Sequence, residues 1–208
     1  MDIKTFLSAF YSENDEVCIR VFSDRKAEDP EYKGNKYTEK LKNIDVLLPT
    51  LKQHNEKHRG IFFVVNSGGH TDEEITRINA QFVEMDTGSF EEQREKINAF
   101  ALPPSIVVKT RKSLHCYWLM KDAEVSKFRE IQLRLVKQFA GDSMCQNESR
   151  CMRIPGFYHS KQESVLVECI KFEPQIKYTQ SELQALLPQV QMPEYDAESR
   201  TEFNGEVG

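Results

Sequence analysis

Two features of the sequence predict an α/β (α+β) fold. Short runs with period-two alternation, such as VCIRVF (17–22), GIFFVV (60–65) and SLHCYWLM (113–120), are interleaved with stretches of helical spacing, most clearly over 122–140. The chain has 208 residues, 39% of them hydrophobic, enough for one sizeable core or two packed lobes.

The N-terminal part reads as a small αβ layer. Ile3–Tyr11 is a helix, Val17–Phe22 a strand and Ser23–Lys36 a charged loop; a helical stretch restarting at Pro49 leads to the strand Gly60–Val65. Asn66–His70 (NSGGH) is a polar loop. Its glycine pair would let a ligand approach the backbone, although an ordinary turn is the plainer reading for His70. Thr71 with Glu74, and Ser89 with Glu92, have capping-box spacing, the second opening a helix over 90–100.

A second layer follows. Ala80–Met85 is a strand; Ser105–Thr110 and Ser113–Met120 form a hairpin turning at Arg111-Lys112. Alternation puts Ser113, His115, Tyr117 and Leu119 on one face, and Leu114, Cys116, Trp118 and Met120 on the other, expected to be the core face. Val125, Phe128, Ile131, Leu135 and Phe139 mark an amphipathic helix over 122–140, ended by Gly141. A short strand around Arg150–Arg153 breaks at Pro155-Gly156, Ser164–Phe172 is a strand, and Thr179–Leu187 a capped helix stopped by Pro188. Residues 1–188 are thus expected to form one domain of two αβ sub-layers meeting near 70–80, and 189–208 a polar, acidic tail or linker.

Chemistry-bearing residues occur in a definite order. Glu84 and Asp86 fall on one strand face, roughly 6.6 Å apart at ~3.3 Å rise per residue. Carboxylate oxygens so placed suit a hard divalent cation, and Thr87-Gly88 leaves Asp86 at a strand end. Ser113 and His115, close to Lys109, Arg111 and Lys112, are equipped to hydrogen-bond phosphate. Asp142 follows the long helix, either as a third acid or as the cap of the next turn. Arg150 and Arg153 suit bidentate phosphate contact or surface ion pairs.

The run E-x-D (84–86), S-x-H (113–115), Asp142, then R-x-P-G…K (153–161) resembles the archaeo-eukaryotic primase superfamily over roughly residues 60–172. Its nearest likeness there is to the RepB-like primases and primase-polymerases of phages and plasmids. The resemblance implies a primase-like core with a recognition-motif-like sheet carrying the site. It implies that Glu84, Asp86 and Asp142 bind two Mg²⁺ or Mn²⁺ ions, and that Ser113, His115, Arg111, Arg150, Arg153 and Lys161 bind the nucleotide. Implied partners are a DNA template or primer, nucleoside triphosphates and a helicase or other replication domain downstream. Glu84 stands where many relatives carry Asp, which leaves the metal preference open. Three carboxylates with a lysine also fit a metal-dependent nuclease, and a non-catalytic replication-initiator module that binds DNA is a further alternative.

Charge is uneven in a way that suits a locally held anionic substrate. The chain carries 28 Lys and Arg against 33 Asp and Glu, net −5; residues 105–161 hold eleven basic and five acidic residues, +6, leaving −11 on the rest. No apolar run approaches the ~20 residues of a membrane span, and MDIKTFLSAF lacks the features of a secretory signal. Five cysteines without a C-x-x-C pair fit buried free thiols in a reducing cytoplasm. A zinc site from Cys145, Cys151 and His159 is a minor alternative.

Overall fold

The computed structural model describes residues 1–191, so the tail expected from 189 lies outside the described residues from 192 onward. Its strands are β1 (Glu16–Ser23), β2 (Asn35–Lys40), β3 (Arg59–Val64), β4 (Ala80–Met85), β5 (Ile106–Lys109), β6 (Leu114–Asp122), β7 (Cys151–Arg153), β8 (Tyr158–His159), β9 (Val165–Leu166), β10 (Glu168–Phe172) and β11 (Tyr178–Thr179). Its α-helices are α1 (Ile3–Leu7), α2 (Leu48–Glu56), α3 (Phe90–Ala99), α4 (Val125–Phe139) and α5 (Gln180–Leu186).

One sheet has the order β2-β1-β3-β7; the other runs β10-β5-β6-β11 with β4 on β6, and β8-β9 form a small ribbon. The fold is therefore mixed α/β, as expected. Within each sheet the pairings are antiparallel except the short β11–β6 contact. Strand β7, from beyond residue 150, completes the N-terminal sheet, so the two layers interleave in sequence.

Several expectations change. β2 shares only Asn35 and Lys36 with the expected loop and otherwise lies ahead of the helix expected to restart at Pro49, where no strand was expected, because NKYTEK is an edge strand of mostly exposed residues with no apolar stripe. The hairpin strand β6 is buried on both faces from Leu114 to Met120. On one side Tyr117 meets Phe10 and Phe63, at centroid distances of 5.3 and 6.3 Å, so the first sheet and its helix cover this face. On the other, Trp118 packs against Phe100 and Phe139. The face carrying Ser113 and His115 is thus as much core as its opposite.

The middle of the open edge of β4 is closed by a helical side chain. Gln132 of α4 accepts from the backbone N–H of Phe82 at 3.2 Å, donates to the Phe82 carbonyl, and donates to the Cys145 carbonyl at 2.7 Å. Such an edge would otherwise leave buried peptide groups unpaired. The helix itself ends at Ala140, in the left-handed conformation (φ 50°), one residue earlier than the expected stop at Gly141. Gly141 has a different reason to be glycine. A Cβ there would lie 2.3 Å from Val83 Cγ2 and 2.9 Å from the Glu84 carbonyl oxygen, so only glycine lets the chain pass this close to β4.

Candidate active site

Glu84 leaves β4 directly opposite His115 on β6. Its Oε1 accepts from Ser113 Oγ at 3.0 Å and lies 3.4 Å from His115 Nε2. Ser113 is fixed by Thr110, whose hydroxyl is 2.7 Å away across the hairpin turn. Burial alone would raise the Glu84 carboxyl, but His115, Arg150 and Ser113 outweigh it and hold the group down at about 2. Glu84 is therefore an ionised carboxylate with its hydrogen-bonding and charged partners already assembled.

Asp142 arrives from the loop after α4. Its backbone N–H donates to the Glu84 carbonyl at 2.8 Å, a main-chain link between the two acidic segments. One carboxylate oxygen accepts from the Met144 N–H at 2.9 Å, capping the following turn; the other accepts from Arg150 at 3.0 Å. Asp142 thus caps the following turn, as one of the two readings expected, while its other oxygen faces Arg150. Arg150 is 2% exposed. Burial opposes its charge, but Cys145, Glu84 and Asp142 around it raise its pKa on balance. It is an internal strut, not a surface ion pair.

Asp86 lies just past the end of β4, paired with Lys112 at 3.1 Å. Gln93 of α3 holds this corner together: it accepts from the Leu114 N–H at 2.9 Å and donates to the carbonyls of Lys112 at 3.1 Å and Gly88 at 3.3 Å.

Ligand atoms of Glu84, Asp142 and Cys145 all lie within 4.8 Å of one another. The two carboxylates supply the hard oxygens that Mg²⁺ or Mn²⁺ prefers, with Asp86 close along the chain, so the residues fit a divalent ion. Cys145 enters this cluster without Cys151 or His159, which does not match the zinc trio. All five cysteines are free, four of them buried, as expected.

The remaining basic candidates make contacts of their own. Arg153 is 6% exposed and forms a two-point pair with Asp24, at 2.6 and 3.3 Å, stacked 4.5 Å over the Phe62 ring. Gly60 makes room for this pair, since a Cβ there would meet Arg153 at 2.5 Å and Asp24 at 2.8 Å. Asp24 also accepts from the Ser160 N–H at 2.7 Å, which fastens the segment after β8. Arg111 donates to Gln162 at 3.1 Å, joining the hairpin turn to that same segment, and Lys161 is exposed. The glycine pair at 68–69 packs against Glu74, whose carboxylate accepts from the N–H groups of His70 and Thr71; no ligand is needed to explain it. Sequence reading missed Asp24, Gln93 and Gln132, and placed Cys145 only in the zinc alternative. A buried glutamine in a helix has no local signature, and Asp24 sits in what reads as a charged loop.

With this geometry in hand, comparison with known proteins is specific. A family model, the RepB DNA-primase N-terminal domain, matches residues 66–186, more than half of the chain. The chain belongs to this family. Among solved structures it resembles the archaeo-eukaryotic primase domain of the cyanophage S-2L primase-polymerase. The TM-score is 0.74 at 26% identity, covering 89% of this chain and 96% of that one. It also resembles the catalytic domain of primase RepB′ in complex with initiator DNA (TM-score 0.64, 14% identity, 88% and 92% covered). A further RepB′ primase structure gives 0.62, 14%, 85% and 57%. No match was found among curated proteins. The fold is that of an archaeo-eukaryotic primase core. Among the described residues no helix is long and apolar enough to cross a membrane.

Proposed function

We propose that this member of the RepB DNA-primase N-terminal family joins nucleotides on a DNA template, by nucleotidyl transfer with two divalent ions. The observation that carries the reading is the convergence of Glu84 and Asp142, joined through the Glu84 carbonyl, beside Ser113 and His115. Bound Mg²⁺ or Mn²⁺ would acidify the attacking 3′-hydroxyl and neutralise the triphosphate. Glu84, Asp86 and Asp142 would hold the ions. Asp86 stands outside the Glu84–Asp142–Cys145 cluster and would reach the ions by leaving Lys112, an exchange between partly exposed groups.

The protein's own part is orientation and charge. Ser113 and His115 present a hydroxyl and an imidazole from one buried strand face to the triphosphate. Arg111, Arg153 and Lys161 would offset charge at its far end as pyrophosphate leaves. Arg150, a nucleotide contact on the sequence pattern alone, acts here by fixing Asp142. The initiator-DNA complex of the RepB′ catalytic domain supports a DNA partner for this chain too. A helicase or other replication domain would complete the assembly.

A labelled primer-template incubated with protein, Mg²⁺ or Mn²⁺ and nucleotides tests the reading. Metal-dependent growth of the primer is the expected result. Shortening without nucleotides would instead establish the nuclease, and DNA binding without chemistry the initiator module.

A further inference from the structure

His159, the second residue of β8, is 4% exposed, yet neither of its ring nitrogens has a hydrogen-bond partner among the described residues. Two unpartnered buried nitrogens on one ring call for an explanation, because a hydrocarbon of similar size would fill the space without the desolvation cost. The surrounding charges supply one. Among the charges acting on the ring are those of Arg153, Asp24 and Arg111, the last bonded to Gln162 three residues on. Asp24 is already committed to Arg153 and to the Ser160 N–H. Arg25 adds a further cation, donating to the carbonyls of Ser160 at 2.9 Å and Gln162 at 3.0 Å. Three arginines from separate segments, Arg25, Arg111 and Arg153, thus converge on residues 159–162, with two carboxylates among them: Asp24, paired with Arg153, and Glu28, 3.3 Å from Arg25.

We infer that His159 contacts a phosphoryl group of the incoming nucleotide, donating a ring N–H to a phosphate oxygen between Arg111 and Arg153. The inference rests on the nucleotidyl-transfer reading above and adds a residue that the motif pattern did not mark. Burial first, and Arg153 second, push the imidazole down to about 3, so it is neutral at physiological pH and offers one donor and one acceptor. The anion enters by taking the Arg111 guanidinium from Gln162, an exposed partner that is easily released.

The discriminating variant is His159→Leu, paired with His159→Gln, which restores an N–H. Having lost no hydrogen bond within the fold, His159→Leu should melt at or above the wild-type temperature. Its apparent KM for nucleotide should rise about ten- to a hundredfold, the range for one hydrogen bond to a charged group, with part of the loss recovered in His159→Gln. Calorimetry with inorganic tripolyphosphate provides a readout independent of chemistry, and its affinity should fall in parallel. Unchanged KM and unchanged tripolyphosphate affinity, or a lowered melting temperature with normal kinetics, would overturn the inference. If the wild type incorporates no nucleotide, the functional reading fails on its own, while the tripolyphosphate comparison still decides the role of His159.

Discussion

Replacing Glu84 by glutamine removes a charge with little change of shape, and the structure sets the size of the effect. The Glu84 carboxyl is held at about 2 against an ordinary 4.5, because His115, Arg150 and Ser113 outweigh its burial. That depression of about 2.5 pH units corresponds to roughly 3 kcal/mol of folding stability at neutral pH, at about 1.36 kcal/mol per unit. Because the folded-state value is lowered, the stabilisation is fully present above pH 4.5 and is lost as pH falls towards 2. Glu84→Gln should therefore unfold about 6–12 °C below wild type at pH 7, taking about 2–4 °C per kcal/mol for a chain of this size. The gap should narrow as pH is lowered through 4, while nucleotide incorporation is lost at every pH. Thermal unfolding of both proteins across pH 3–7, without added metal, measures it. A variant as stable as wild type at pH 7, or a gap independent of pH, would refute this account of Glu84.

Asp86 provides the contrast. Its partner Lys112 is exposed, and such pairs contribute about 0–1 kcal/mol, so Asp86→Ala should abolish primer extension while melting within a few degrees of wild type. Gly141→Ala should cost roughly 1–3 kcal/mol and impair incorporation, since the new methyl collides with Val83 and the Glu84 carbonyl; denaturant unfolding and extension assays report the two effects. Chelation with EDTA should stop incorporation, and adding back Mn²⁺ or Mg²⁺ should restore it. Chelation should leave DNA binding, followed by fluorescence anisotropy, much less affected.

The stability prediction for Glu84 also shows what sequence could not reveal. Three acids in a motif suggest mutual repulsion, and hence stabilisation when one is removed. In the folded chain Glu84 sits against His115, and Asp142 against the buried Arg150, so removing an acid leaves buried partners behind, the Arg150 guanidinium among them. The strands with an apolar stripe, the hairpin and the Ser89 capping box were legible because period and spacing are local signals. Strand β2 was not, since its pairing with β1 is set by backbone hydrogen bonds that leave no apolar pattern. The order of the motif residues was visible too. Which arginine serves which acid was not: Arg150 and Arg153 are three apart in sequence, yet one braces Asp142 and the other pairs with Asp24.

The late arrival of β7 bears on how the chain is made. A ribosome that has released residues 1–75 has delivered β1, β2 and β3, but the strand that covers the far edge of β3 lies at 151–153. Until then IFFV (61–64) offers an unpaired ladder of apolar residues, the kind of edge that recruits other chains. A fragment cut at the apparent boundary near 70–80 should aggregate, and a chain paused there should be a ready client for chaperones. The first sheet becomes safe only when the segment carrying Arg150 and Arg153 docks, so the nascent protein closes its exposed edge and brings in these two arginines in a single folding event.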